Sequence, residues 1–152
     1  MADDGGLASF QRRMQAIPQA ARDAVKPALM KSAEEIATLQ RIAAQGSRDT
    51  GALIDSIKVT GPGGSTPPYS QPGGSMVVPE NQAVITVGNT DVRYAHLVEF
   101  GTRARMLTSG TQAGTHPGTA AQPFFWPGFR LGRKRALGRI KRAIGKAIRE
   151  AK

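Results

Sequence analysis

An α+β fold is predicted by three features of this 152-residue sequence. Residues 7–46 and 122–152 repeat apolar side chains every three or four positions, the helical period. Between them, Ala83-Val84-Ile85-Thr86-Val87 runs into Gly88 as a β-branched stretch bounded by turn formers, the clearest strand in the chain. Two long segments, 61–75 and 103–121, read as loops. The expected architecture is one domain over residues 1–152, within the size of a single core. A small antiparallel or mixed sheet is packed by N-terminal helices, a short central helix and a basic amphipathic C-terminal helix.

The helical region 7–46 begins with Leu7, Phe10, Met14 and Ile17, and Val25, Leu29, Ser32, Ala33, Ile36, Leu39 and Ala43 continue the period. Pro18 and Pro27 each remove a backbone donor and crowd the preceding turn, which predicts a break at Pro18 and a kink or restart near Pro27. Gly46 ends the run. In the sheet region 50–102, Thr50 is a plausible cap, Leu53, Ile54 and Ile57 give a short apolar face, and Lys58-Val59-Thr60 reads as the strand that pairs with 83–87. Nine of the fifteen residues 61–75 are Gly or Pro, a composition expected to stay mobile in a free subunit. Met76-Val77-Val78 is a candidate short strand. Tyr94, Leu97, Val98 and Phe100 then share one side of a short helix that Gly101 stops. After the 103–121 loop, Pro123-Phe124-Phe125-Trp126-Pro127 gathers three of the eight aromatics and anchors region 122–152, whose apolar stripe is Leu137, Ile140, Ile144, Ala147, Ile148 and Ala151.

Composition removes several chemistries. The chain has no cysteine, so disulfides, thiolate metal sites and thiol nucleophiles are excluded. The first twenty residues hold Asp3, Asp4, Gln11, Arg12 and Arg13 and no continuous apolar stretch, so neither a secretory signal nor a membrane span is expected, and folding in the cytoplasm is. From residue 130 onward there are ten Lys or Arg against Glu150, nine of the ten net positive charges. The basic positions there are Arg130, Arg133, Lys134, Arg135, Arg139, Lys141, Arg142, Lys146, Arg149 and Lys152. A cationic helix face of this kind suits an acidic protein neighbour, phosphates, an anionic membrane surface or plain solvent. The lack of interleaved aromatics on it argues against stacking on single strands.

Catalytic patterns are thin. His96 and Glu99 stand three apart on the short helix, with His116 as a distant third, but no further Asp or Cys completes a site, and polar surface residues are the plainer reading. The glycines at 61, 63, 64, 73 and 74 lack the strand, helix and Gly-Lys-Ser/Thr context of a phosphate loop. No Gly-x-Ser-x-Gly elbow occurs. No enzyme activity, metal, cofactor or small-molecule substrate is expected.

Three blocks in order carry a family pattern: Thr50-Gly51-x-Leu53-x-x-Ser56-Ile57; Val87-Gly88 followed by Tyr94-Ala95-x-x-Val98-Glu99-Phe100-Gly101-Thr102; and Ala121-Gln122-Pro123-Phe124-Phe125-x-Pro127. Together they resemble the siphophage head-tail joining or tail-completion family, which includes proteins similar to the lambda minor tail protein Z. The resemblance covers residues 7–150 as a pattern of elements. It implies an α+β virion subunit that assembles at the neck, commonly as a hexameric ring, between head connector proteins and the tail tube, without catalysis.

Within that pattern, Gly51 and Gly101 supply backbone conformations that side chains forbid. Tyr94, Phe100, Phe124, Phe125 and Trp126 are expected to pack on the 83–87 strand as the core. Glu99, a carboxylate on an apolar helix, requires an Arg or backbone donors, in its own subunit or the next. The two long loops and the basic helix are the expected interface, with Arg103 and Arg105 as contacts to an acidic neighbour or to DNA in the channel. The rival from another class is a small basic protein that binds DNA through the phosphate backbone.

Overall fold

The computed structural model describes residues 7–47, 51–107 and 114–150, and side chains from residue 18 onward. Element order is α1 (Leu7–Ala43), a 3-10 turn (Ala44–Ser47), α2 (Ala52–Asp55), β1 (Lys58–Thr60), β2 (Val84–Thr86), α3 (Ala95–Phe100), β3 (Arg105–Leu107), β4 (Gly114–His116) and α4 (Phe125–Glu150). The α+β class is as expected, and β1 pairs antiparallel with β2 in the register Lys58 to Thr86, Val59 to Ile85 and Thr60 to Val84. Bridges between Gln71 and Val87 and between Ser65 and Val77 add single rungs beside this pair.

The frame is an antiparallel pair of long helices. At 1.5 Å per residue, α1 with 37 residues spans about 55 Å and α4 with 26 about 39 Å. Their seam is made of small residues. A Cβ at Gly128 would lie 2.6 Å from Gln40 Cγ and 2.9 Å from the Gln40 Cα and N. A Cβ at Gly132 would lie 2.5 Å from Ile36 Cγ1. Each glycine costs about 1 kcal/mol in helix propensity relative to alanine; here that cost is offset because the missing side chain lets the two backbones meet. Ala28, Ser32, Ala33, Ile36 and Ala37 on α1 and Ala136 and Ala147 on α4 are buried around the seam.

Two expectations about these helices change. Helix α1 runs unbroken through Pro18 and Pro27 instead of ending at the first. Both prolines are exposed, so the carbonyls they leave unpaired open toward water, and from Ala28 onward the packing against α4 counters the roughly 3 kcal/mol penalty of an internal proline. Of the expected stripe on α4, Ala147 is buried and Ile140, Ile144 and Ile148 are half-buried, but Leu137 is 47% exposed, and the other buried positions are Phe125, Gly128, Gly132 and Ala136. Close approach selects small side chains, which a count of large apolar residues does not register.

The core sits where the C-terminal end of α1 meets the start of α4: Ala37, Ala44, Leu53, Ile57, Val87, Val92, Ala95, Phe124 and Phe125. Of the aromatics expected there, Phe124 and Phe125 are buried, whereas Tyr94, Phe100 and Trp126 are 40%, 69% and 40% exposed. Helix geometry explains the difference. In six-residue α3 the inward positions are taken by Ala95, Val98 and Glu99, which turns Phe100 outward.

The two loops also part company. Segment 61–78 folds back on itself: Gly63 N–H donates to Val78 O (2.8 Å), Val78 N–H to Gly64 O (2.8 Å) and Thr66 N–H to Met76 O (2.9 Å). Thr66, Ser70 and Val78 are buried. Segment 103–121 contains the β3–β4 hairpin, with Arg105 opposite His116, Met106 opposite Thr115 and Leu107 opposite Gly114.

Candidate interaction surfaces

The residues of the family pattern converge on one junction. Glu99 is buried, and its carboxylate accepts three backbone N–H groups at the head of α4: Phe124 (2.8 Å) and Phe125 (2.9 Å) on Oε2, Trp126 (3.2 Å) on Oε1. These are donors that a helix start otherwise leaves unpaired, and a carboxylate there faces the positive end of the helix dipole. Of the two partner types open to Glu99, backbone donors of its own subunit fill the place. Gln122 ties the strand-like approach down, its N–H donating to Val98 O (2.8 Å) and its side-chain oxygen accepting from the Ser47 hydroxyl (2.7 Å). Pro123 beside it is exposed.

Behind this junction, Ser56 links α2 to the end of β2. Its hydroxyl donates to Leu53 O (2.7 Å) and accepts from Gly88 N–H (3.1 Å). Leu53 is buried, and Gly51, at φ 88°, starts α2. Thr50 lies outside the described residues. Gly101 (φ 71°) ends α3 where a Cβ would meet Thr119 O at 2.6 Å and Ala121 N at 2.8 Å. Thr102 and Thr119 then close the base of the hairpin with two backbone bonds of 2.9 and 3.1 Å and a hydroxyl contact of 3.2 Å.

In front of the junction opens a cleft of about 650 Å³. Its walls include Tyr69, Arg93, His96, Phe100 and Trp126, with Phe124 and Glu99 at the floor. The Arg93 guanidinium lies over the Tyr69 ring at 3.9 Å, and its Nε donates to Thr90 O (3.1 Å). Trp126 meets Phe125 and Phe129 edge to face, with centroids 5.5 and 6.0 Å away.

Along α4 the cations divide. Arg133, Lys134, Arg135, Lys141, Arg142, Lys146 and Arg149 are exposed. Arg139 is 19% exposed and belongs to the helix seam, donating to Glu35 Oε1 (2.6 Å) and to the Ser32 hydroxyl (3.1 Å). That hydrogen bond, helped by the charges of Arg139, Arg135 and Lys31, holds the Glu35 carboxyl below the usual carboxylate range despite an opposing desolvation effect. Arg103 and Arg105 are exposed on the hairpin, and Met106 between its strands' solvent faces is 76% exposed.

The sequence model of one protein family, described as "Bacteriophage HK97-gp10, putative tail-component", matches residues 8–101, which is 94 of 152 residues. The chain belongs to the HK97-gp10-like family. It is thereby a structural component of a bacteriophage tail, a part of the virion that meets other virion proteins. No curated protein and no solved structure matches it.

The family match takes in α1 through α3, and with them the first block and the second as far as Gly101; the third block, the hairpin and α4 lie beyond it. The His96 and Glu99 pair does not form a catalytic or metal-binding arrangement: Glu99 is committed to backbone donors, His96 is exposed, and His116 Nδ1 accepts from Gly118 N–H at 3.0 Å. Among the described residues no group of His, Asp and Glu could hold a metal ion, and no helix is long and apolar enough to cross a membrane. Sequence reasoning missed Gly128, Gly132 and the Arg93–Tyr69 pair. The spacing Gly128-x-x-x-Gly132-x-x-x-Ala136 was a visible signal for a close helix seam; for Tyr69 within a Gly/Pro-rich stretch there was none.

Proposed function

We propose that this tail component is a ring-forming subunit of the phage neck, a head-tail connector or tail-completion protein that closes one end of the tail around the path of the genome. The observation that carries the reading is the β3–β4 hairpin. Neither strand buries a side chain in its own subunit, and Met106 stands 76% exposed. A two-stranded hairpin is marginal alone in water, so this arm gains its cover from a neighbour. In a closed ring the contacts are heterologous, the arm of each subunit reaching a different face of the next, and the resemblance to head-tail joining proteins implies six copies.

The exposed cations of α4 fit the same assembly. A net charge of +10 per subunit repels between copies unless it faces an anion, and a lumen carrying duplex DNA supplies a dense one. Arg133, Lys134, Lys141, Arg142 and Lys146 are the residues that face that channel or an acidic neighbour in the neck stack, with Arg103 and Arg105 at its rim.

A reconstruction of the intact particle's neck tests this. The expected result is a homomeric ring of this chain between the head connector and the tail tube. Its absence from the particle, or tight salt-dependent binding of duplex DNA by a monomer that never assembles, overturns the reading.

A further inference from the structure

We propose that the cleft between the 69–74 turn and the start of α4 is a docking site for an acidic segment of another protein that carries a large apolar anchor residue. This goes beyond the ring assignment and stands whether or not the subunit closes into a ring.

The apolar half of the argument is exposure. Phe100, Tyr69 and Trp126 are 69%, 58% and 40% exposed around one concavity of about 650 Å³, a size at which pockets bury a bound group. Contiguous exposed aromatic surface of this kind marks an interaction site. Its floor, Phe124 and Glu99, is fixed by the hydrogen bonds from the Phe124 and Phe125 N–H groups to the Glu99 carboxylate, so the concavity is built from the chain's own bonds.

The charge half sets the sign of the partner. The one carboxylate in the lining, Glu99, is spent on three backbone N–H groups. Arg93 uses Nε on Thr90 and its face on Tyr69, and among the described residues no acceptor engages its two Nη groups. Arg130, one helical turn beyond Trp126, is exposed and continues the positive rim onto the basic face of α4. An apolar anchor seated on Phe100 and Trp126 therefore carries its flanking carboxylates to Arg93 and Arg130.

Other occupants fit less well. Single-stranded nucleic acid needs successive ring faces as stacking platforms, but one face of Tyr69 is already taken by Arg93, and Trp126 meets Phe125 and Phe129 at 86° and 87°. A second copy of this chain carries a net charge of +10, which the positive rim repels.

Trp126 is the chain's single tryptophan, so its emission reports the cleft directly. The probe is a short peptide of Asp and Glu around a central Phe-Leu pair, compared with the same peptide bearing Ser-Ser at the centre, a Lys version and a short thymidine oligonucleotide. The anchored acidic peptide is expected to blue-shift Trp126 and bind at least about tenfold tighter than either peptide control. Phe100→Ser and Arg93→Gln are each expected to weaken it about fivefold or more at unchanged thermal midpoint, and Arg22→Gln, exposed on α1 and outside the cleft lining, to leave it within about twofold. The proposal fails if no shift occurs up to millimolar peptide, if the Ser-Ser peptide binds equally, or if neither variant changes binding. It also fails if the oligonucleotide gives the larger shift, which assigns the cleft to nucleic acid, or if raising the protein concentration alone gives the shift, which assigns it to a second copy.

Discussion

Residues 61–75 and 103–121 begin as equals, two long stretches read as loops, and the structure makes the segments around them, 61–78 and 102–119, opposites. The first has its backbone groups paired inward and is stitched to β2 through Gln71 and Val87, with bonds of 2.8 and 2.9 Å. Thr66 acts as an internal peg, its hydroxyl accepting from Met76 N–H (2.9 Å) and donating to Gly74 O (2.8 Å). The second pairs its backbone only with itself, at the Thr102–Thr119 bridge and along β3 and β4, and its strands leave Leu107 and His116 half-buried and their other side chains exposed. Side-chain burial, with Thr66, Ser70 and Val78 buried in the first and no residue of β3 or β4 buried in the second, and not glycine or proline content, separates a loop that is part of the fold from an arm that extends from it. In a tail component the arm is the element with a surface left to cover.

The largest expected effect breaks the platform that both segments share. Glu99→Ala leaves three N–H groups at the head of α4 without their acceptor and is expected to cost about 3 kcal/mol in thermal or denaturant unfolding. Glu99→Gln retains one carbonyl acceptor and should cost less. Equal stability of wild type and Glu99→Ala would remove the junction from its central place.

A smaller effect sharpens the difference between the segments. Thr66→Val keeps shape but deletes the hydroxyl peg, with an expected loss of about 1–2 kcal/mol and faster amide exchange confined to residues 61–78. Met106→Ser on the hairpin should move the stability of the free chain by no more than about 0.5 kcal/mol, yet lower its incorporation into particles, read by mass spectrometry of purified virions. If Met106→Ser destabilises the free chain as much as Thr66→Val does, the hairpin is not an uncovered arm.

The smallest effect concerns pH. The folded-state pKa of Glu35 is depressed by Arg139, so its contribution to stability is present above the unfolded value near 4.5 and is lost as pH falls through the folded value. The melting temperature of Glu35→Gln should therefore lie below wild type at neutral pH, and the gap should close in acid. A gap that is constant with pH would assign the effect to packing.

Much of the frame was legible in the sequence for simple reasons. The β1–β2 pair, α3 and its stop at Gly101, and the helix after the aromatic cluster each follow a local signal: β-branching, a short apolar period, a glycine at positive φ. What escaped depended on partners distant in sequence. The continuity of α1 past Pro27 depends on α4 lying against it, and the seam through Gly128 and Gly132 depends on the backbone of Gln40. The outward turn of Phe100 follows from Glu99 taking the inward position, a competition that composition does not reveal. Strands of three residues, as in β3 and β4, are too short to show a period at all.

Hydrogen exchange of the free chain against the assembled particle tests the central distinction most directly. Amides of residues 102–107 and 114–119 should exchange quickly in the free subunit and slowly in the particle, while those paired within 61–78 are protected in both. A hairpin equally protected before and after assembly would contradict it.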